Sequence, residues 1–221
     1  LNCIILIIDD SNDLSIKKIL SKSKIKNLTY YNRGKKSGRG SAVIFGLKKL
    51  IKKRKISCYI EMDADLSHSP TELRRNISFF YKNSLDLLIG SRYLKDSKIV
   101  NWPLSRRILS KLSNTLAGML LRVPVNDYTN GYRFYSKNAV KMIIAKCNKT
   151  GGGFIILSEI ILILWNKGYK ISESFCVNLP LNNIKIISIW KIICFASYFI
   201  NISFHSITFF DCLKSMKLCD I

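Results

Sequence analysis

Acidic side chains are scarce in this chain: 14 Asp and Glu stand against 36 Lys and Arg, a formal net charge of +22 over 221 residues. Histidine is nearly absent. His68 and His205 are far apart, and none of the seven cysteines forms a C-x-x-C pair, so no zinc-ligand spacing exists. The cysteine count is odd and most lie in apolar runs, which argues against a disulfide framework and for a reducing compartment. Only 4 Pro and 11 Gly occur, which excludes collagen-like and Pro-rich classes. No internal repeat or low-complexity tract is present. The cations are not interleaved with aromatics, so nucleic acid is not read as a partner.

What is present is a globular composition. Hydrophobic residues make up 48%, which excludes disorder, and the length suits one domain with or without an appendage. The excess of cations fits a polyanion partner such as a phosphorylated substrate or an anionic membrane surface. Abundant Lys, Ile and Asn throughout are also a compositional trait. The chain opens at Leu1 inside an apolar run, and its true start is expected further upstream.

Short apolar runs alternate with helical patterns along the chain. Strands are expected over residues 3–8, 28–31, 56–62, 86–89, 132–135 and 169–177. Helices are expected over 15–21, from a Ser41 cap through Leu50, from Pro70-Thr71 onward, and over 104–121, 139–145 and 154–165. That alternation predicts an α/β layered fold with a mostly parallel sheet. Ligands bind such sheets at the carboxyl ends of strands. Two strands here end in acidic pairs, Asp9-Asp10 and Asp63/Asp65, in a chain short of acid.

Four segments stand out. Asp63-Ala64-Asp65-Leu66-Ser67-His68-Ser69-Pro70 places two carboxylates at i, i+2, a hard-oxygen pair suited to Mg²⁺ or Mn²⁺ and through it to a diphosphate. The same pattern also serves as turn chemistry or helix capping. Residues 33–42 form a Gly/Lys/Arg loop entering a helix, either an anion cradle or a plain Gly-rich loop. Gly90-Ser91-Arg92-Tyr93, then Arg106 and Ser110, can clamp a phosphate, or the later arginines are surface residues. Residues 126–133 hold Asp127, Thr129, Gly131 and Arg133 in what alone is an ordinary loop.

In this order the segments resemble the family-2 glycosyltransferases, and within them the polyprenyl-phosphate sugar transferases of the dolichol-phosphate mannosyltransferase type. The likeness runs from about residue 3 to about residue 177. Asp9-Asp10 with Ser-Asn-Asp looks like a D-D-G-S strand end. Arg33, Lys36, Gly38, Gly40, Ala42 and Gly46 look like R-x-x-K-x-G-x-G-x-A-x-x-x-G, and residues 63–70 like D-A-D-L-S-H-x-P. Gly90 to Tyr93 is similar to G-[ST]-R-Y, and Asp127 to Tyr135 to D-x-T-S-G-Y-R-x-Y with Asn130 for the Ser.

The resemblance implies a GT-A fold: a mixed, mostly parallel sheet flanked by helices, over residues 1–180. It implies a nucleotide-sugar donor of the GDP-mannose or UDP-glucose type and a polyprenyl or dolichyl phosphate acceptor. Asp10, Arg33, Lys36, Gly38 and Ala64 are then donor-side residues. Asp63, Asp65 and Ser67 hold a divalent cation. Arg92, Arg106, Ser110 and Arg133 take acceptor phosphate, and Asp63, Asp65, Arg92 and Asp127 are the catalytic set. Transfer of mannose or glucose is expected to invert the anomeric centre. An anionic acceptor needs no strong base, and His68, just before the Pro70 helix start, reads as structural.

Two departures support a second reading, an inactive GT-A remnant acting as a membrane or partner-binding module. The family's P-x-Y-N-E loop and first strand are absent, and its R-x-x-G-x-S-K loop is replaced by residues 181–187, where only Lys185 is cationic. Residues 181–221 form an apolar tail. Its stretch 192–210 has no charged residue, and Ser197, Asn201, His205 and Thr208 recur at helical spacing. An apolar or amphipathic helix is expected there, interfacial, spanning or core-packed, at the cytoplasmic face of a membrane.

Overall fold

The computed structural model describes residues 4–13, 15–23, 25–35, 37–53, 56–63, 67–147 and 155–178. The element order is β1 (Ile5–Asp9), α1 (Ser15–Ser21), β2 (Leu28–Asn32), α2 (Arg39–Leu50), β3 (Cys58–Glu61), α3 (Leu73–Lys82), β4 (Leu87–Ser91), β5 (Lys98–Ile99), α4 (Leu104–Leu121), β6 (Arg133–Ser136), α5 (Lys137–Lys146), α6 (Ile155–Asn166), β7 (Ile171–Phe175) and β8 (Val177–Asn178). The tail at 181–221 and its expected helix lie outside the described residues, as do Lys36, Ala64 and Asp65.

Strand β1 is buried at all five positions, as a continuous β-branched run requires. It pairs in parallel with β2, Ile5 opposite Leu28 through Asp9 opposite Asn32. The larger sheet has the order β3-β6-β4-β7. There β6 runs antiparallel between β3 and β4, while β4 and β7 are parallel. A third pair, β5 with β8, is parallel. Among the described residues, three of the five pairings are parallel, so the sheet is mixed. A parallel crossover needs its helix packed on the sheet, but α4, which precedes β6, buries only Asn114.

Helix α2 starts earlier than Ser41. Its N-cap is Gly38 at φ 79°, a left-handed conformation open to glycine at little steric cost. Ser41 instead donates its Oγ to the Ser37 carbonyl at 2.8 Å. Pro70 opens a 3₁₀ turn (Pro70–Glu72), and the α-helix begins only at Leu73. Along α3 the buried residues are Leu73, Asn76, Ile77 and Phe80, a helical stripe. Ser136 caps α5 by accepting from the Ala139 amide at 3.1 Å, and also donates to Asp86 at 2.6 Å. Cys58, Cys147 and Cys176 are buried free thiols, behaving as small apolar groups.

Candidate functional site

The carboxyl end of β1 carries two acids with different fates. Asp9 is wholly internal: it accepts from the Ser11 amide and hydroxyl, both at 2.8 Å, and from Tyr30 at 2.6 Å. Partial burial of Tyr30 itself, and then its bond to Asp9, push the Tyr30 hydroxyl pKa far up. Asp10 turns the other way and meets Arg33, whose Nε and Nη2 each donate at 2.5 Å. Arg33 also donates to Ser41 at 2.7 Å.

The end of β3 is met by a second guanidinium from the same segment. Arg39 is fully buried and donates through Nη1 to both oxygens of Asp63, at 2.6 and 2.8 Å, and through Nη2 to Glu61 at 2.6 Å. Burial opposes its charge, but Asp63 and Glu61 outweigh that and raise its pKa above the ordinary value. Glu61 also accepts from Tyr135 at 2.8 Å. Residues 33–41 therefore set one arginine on each acidic strand end. In sequence Arg39 is one cation of the 33–42 anion-cradle loop; in the fold it is the buried partner of two carboxylates.

The end of β4 builds the opposite wall. Arg92 grips Asp127 with its backbone amide at 2.9 Å, Nε at 2.8 Å and Nη2 at 2.7 Å, and Nη2 also donates to Thr129 at 2.6 Å. Burial works against the Asp127 charge. The hydrogen bonds and charge of Arg92 prevail and hold that carboxyl below its ordinary range. The Arg92 guanidinium lies 5.4 Å from the Trp102 ring, and Arg106 lies 3.9 Å from the same ring. Beside them Tyr93 donates to Ser110 at 2.6 Å. The structure thus gathers Arg92, Arg106 and Ser110, and adds Trp102, which its sequence position alone does not reveal.

The loop before β6 joins the two walls. Asp127 holds Arg92. Gly131 sits so tightly on Arg39 that an added Cβ would lie 1.6 Å from Nη2. Tyr132 stacks on buried His68 at 5.2 Å, and the His68 Nε2 is 3.7 Å from Asp63. Ser67, next in line, is buried as well. Glu173 on β7 anchors the loop by accepting from Asn126 Nδ2 at 2.7 Å and from the Asp127 amide at 2.9 Å. Asn114 on α4 accepts from the Tyr128 amide at 2.7 Å. These partners are distant in sequence and carry no local signal.

Arg133, grouped by sequence with the phosphate ligands, is placed in the core. It donates to the carbonyls of Asn130 at 2.9 Å, Leu157 at 2.7 Å and Tyr128 at 2.9 Å, so it braces the loop from behind. No described group of three or more acid, Cys or His side chains can hold a metal. Asp63 has the right oxygen chemistry, but Arg39 engages both its oxygens. The described residues therefore do not complete a cation site without Asp65.

The profile of the family described as glycosyl transferase family 2 matches residues 1–144. The polyprenol monophosphomannose synthase of Mycolicibacterium smegmatis is 40% identical over 112 residues, which is 51% of this chain and 42% of that protein. The undecaprenyl-phosphate mannosyltransferase of Micrococcus luteus is 36% identical over 112 residues, 51% of this chain and 45% of that protein. The chain is matched over less than half the length of these relatives.

Proposed function

The chain belongs to glycosyl transferase family 2, and on that premise we propose that it transfers a mannosyl group from a nucleotide sugar to a polyprenyl phosphate. One observation carries the reading: Arg92 and Arg106 share the Trp102 ring beside the Ser110 hydroxyl. Arg106, stacked beside the Arg92–Asp127 pair, offers positive charge to an anion, and a lipid monophosphate supplies one. Both names of the compared proteins point to such an acceptor and to mannose. Glucose is the other sugar the sequence motifs allow.

In this reading the donor lies against Asp10, Arg33 and Gly38, and Lys36 and Ala64 are donor-side residues by motif, outside the described residues. Asp63, Asp65 and Ser67 would hold a divalent cation, Mg²⁺ or Mn²⁺, by the motif they form. When bound, it supplies charge neutralisation at a diphosphate. The chain's own residues do the rest. Arg92, kept in place by Asp127, and Arg106 orient the acceptor phosphate and offset repulsion between two phosphate-bearing substrates. The acceptor oxygen is already anionic near neutral pH, so the attack needs no base, and in-line displacement inverts the anomeric centre. Residues 1–180 are assigned as the transferase domain and 181–221 as its apolar tail.

The test is transfer of labelled sugar from GDP-mannose, against UDP-glucose, to polyprenyl phosphate in detergent by the full chain. Arg92→Ala and Arg106→Ala are each expected to lower the rate about 10²–10³-fold, and Asp65→Ala to abolish metal-dependent donor binding. A specific observation favours a second reading, an inactive remnant that binds membranes or partners: Arg39 already neutralises Asp63. Absence of transfer from either donor, with donor binding unaffected by Asp65→Ala, establishes that reading instead.

A further inference from the structure

The loop that carries Asp127 is held by a carboxylate from another strand. Glu173, half-buried on β7, accepts from the Asn126 amide at 2.9 Å, the Asn126 side chain at 2.7 Å and the Asp127 amide at 2.9 Å. Two successive backbone N–H groups and a side-chain amide thus converge on two oxygens. A carboxylate accepts on both and donates nothing, whereas a carboxamide would turn its NH₂ against one of these donors. Among the described residues no Lys or Arg forms an ion pair with Glu173. Its partners are the loop amides.

The strand that supplies Glu173 is the neighbour of the strand that supplies Arg92. Strands β4 and β7 are parallel, with Ile89 opposite Glu173 and Ser91 opposite Phe175. Arg92 follows Ser91 directly, and its amide, Nε and Nη2 all reach the Asp127 carboxylate. Asp127 is therefore held from both strands, its carboxylate by Arg92 and its backbone by Glu173. Its Oδ1 also takes the amides of Thr129 at 3.2 Å and Asn130 at 3.0 Å, which locks the carboxylate to the loop's own backbone. A shift of the backbone at 126–127 shifts the carboxylate, and with it the plane of the Arg92 guanidinium.

That plane matters because of the donors that remain. Nε and Nη2 are engaged by Asp127 and Thr129, whereas Nη1 takes part in none of these bonds. Nη1 is the end of the fork left for an incoming anion, and a hydrogen bond weakens steeply as its angle closes. Glu173 is itself negative and would repel a phosphate, so its role there is indirect.

We propose that Glu173 is a positioning residue of the acceptor-phosphate site: by holding the Asn126 and Asp127 amides it sets Asp127, and Asp127 sets the Arg92 fork so that Nη1 meets the phosphate. This deepens the proposed function and rests on it for the identity of the ligand. The link from Glu173 through Asp127 to Arg92 stands on the hydrogen bonds alone.

Calorimetric titration of the full chain with farnesyl phosphate, a short lipid monophosphate, tests it. Glu173→Gln is close to isosteric and is expected to raise the Kd about fivefold or more. Loss of a negative charge by itself favours an anion, so weaker binding reports position and not charge. The double variant with Arg92→Ala is expected to bind no worse than Arg92→Ala alone, because a residue acting through Arg92 then has nothing left to set. Without ligand, Glu173→Gln is expected to move the nitrogen NMR resonance of Arg92 Nε and to quicken hydrogen exchange at Asn126 and Asp127, with β1 and β3 amides unaffected.

Unchanged farnesyl phosphate binding in Glu173→Gln overturns the proposal. So does a weakening that persists in full on the Arg92→Ala background, or faster exchange spread over both sheets, since either means a general loosening of the fold. If the unaltered chain binds farnesyl phosphate no better than Arg92→Ala does, the acceptor reading fails. The Arg92 Nε resonance then judges the positioning by itself, upholding it by moving in Glu173→Gln and overturning it by staying in place.

Discussion

Arg39 is the side chain on which the acidic end of β3 turns. Its guanidinium is the counter-charge of both Glu61 and Asp63, and all three side chains are buried or nearly so. Removing one member of a buried ionic group leaves the others charged in a poorly solvated place. Arg39→Met is expected to cost about 3–5 kcal/mol, read as a lowered urea midpoint. Arg39→Lys restores a charge but not a planar fork able to span two carboxylates, and recovers only part of the loss. Asp10 and Arg33 form the simpler version of the same device at the neighbouring strand end.

At the scale of elements, Asn114 is the buried polar tie between α4 and the loop before β6, beside the Tyr93–Ser110 bond and the packing of Ala117 and Leu121 on the core. That amide donates to the Ser110 carbonyl at 2.8 Å and to Thr129 at 3.1 Å, and its oxygen takes the Tyr128 amide. Asn114→Ala leaves the Tyr128 amide without its acceptor, a loss of about 1–3 kcal/mol. The expected signature is local: faster hydrogen exchange at Tyr128 and Thr129, with β1 and β4 amides unaffected. A uniform rise across both sheets would mean that α4 is part of the global core. The left-handed Arg122 at φ 53° ends the helix and turns the chain toward that loop.

For the whole molecule, net charge and the buried acids set the response to pH. The Asp127 pKa is depressed in the fold, so its stabilising contribution is complete above the unfolded carboxylate value, about 3.9. It is lost as pH falls through the lower folded value. Glu72 is opposite: burial raises its pKa, against the Val177 amide and Arg75, so its ionisation weakens the fold as pH rises past the unfolded value. Urea midpoints measured against pH are therefore expected to fall steeply below about pH 4. Asp127→Asn flattens that acid limb, and Glu72→Gln removes the loss above it. Acid also removes carboxylates from a chain already at +22, adding self-repulsion to the same limb.

The alternation of short buried runs with helical stripes was enough for the α/β class, and the chain order of the D-D, D-A-D, G-S-R-Y and D-Y-T-N-G-Y-R segments was enough for the family. Both are written in local pattern and spacing, which a single chain displays directly. The antiparallel entry of β6, the Arg39 bridge, the Glu173 anchor, the internal place of Arg133 and the outward face of α4 needed tertiary structure. Each depends on partners tens of residues away, and a guanidinium with three internal carbonyls reads in sequence the same as one facing a phosphate. Which side of an amphipathic helix meets the core is likewise decided by what packs against it.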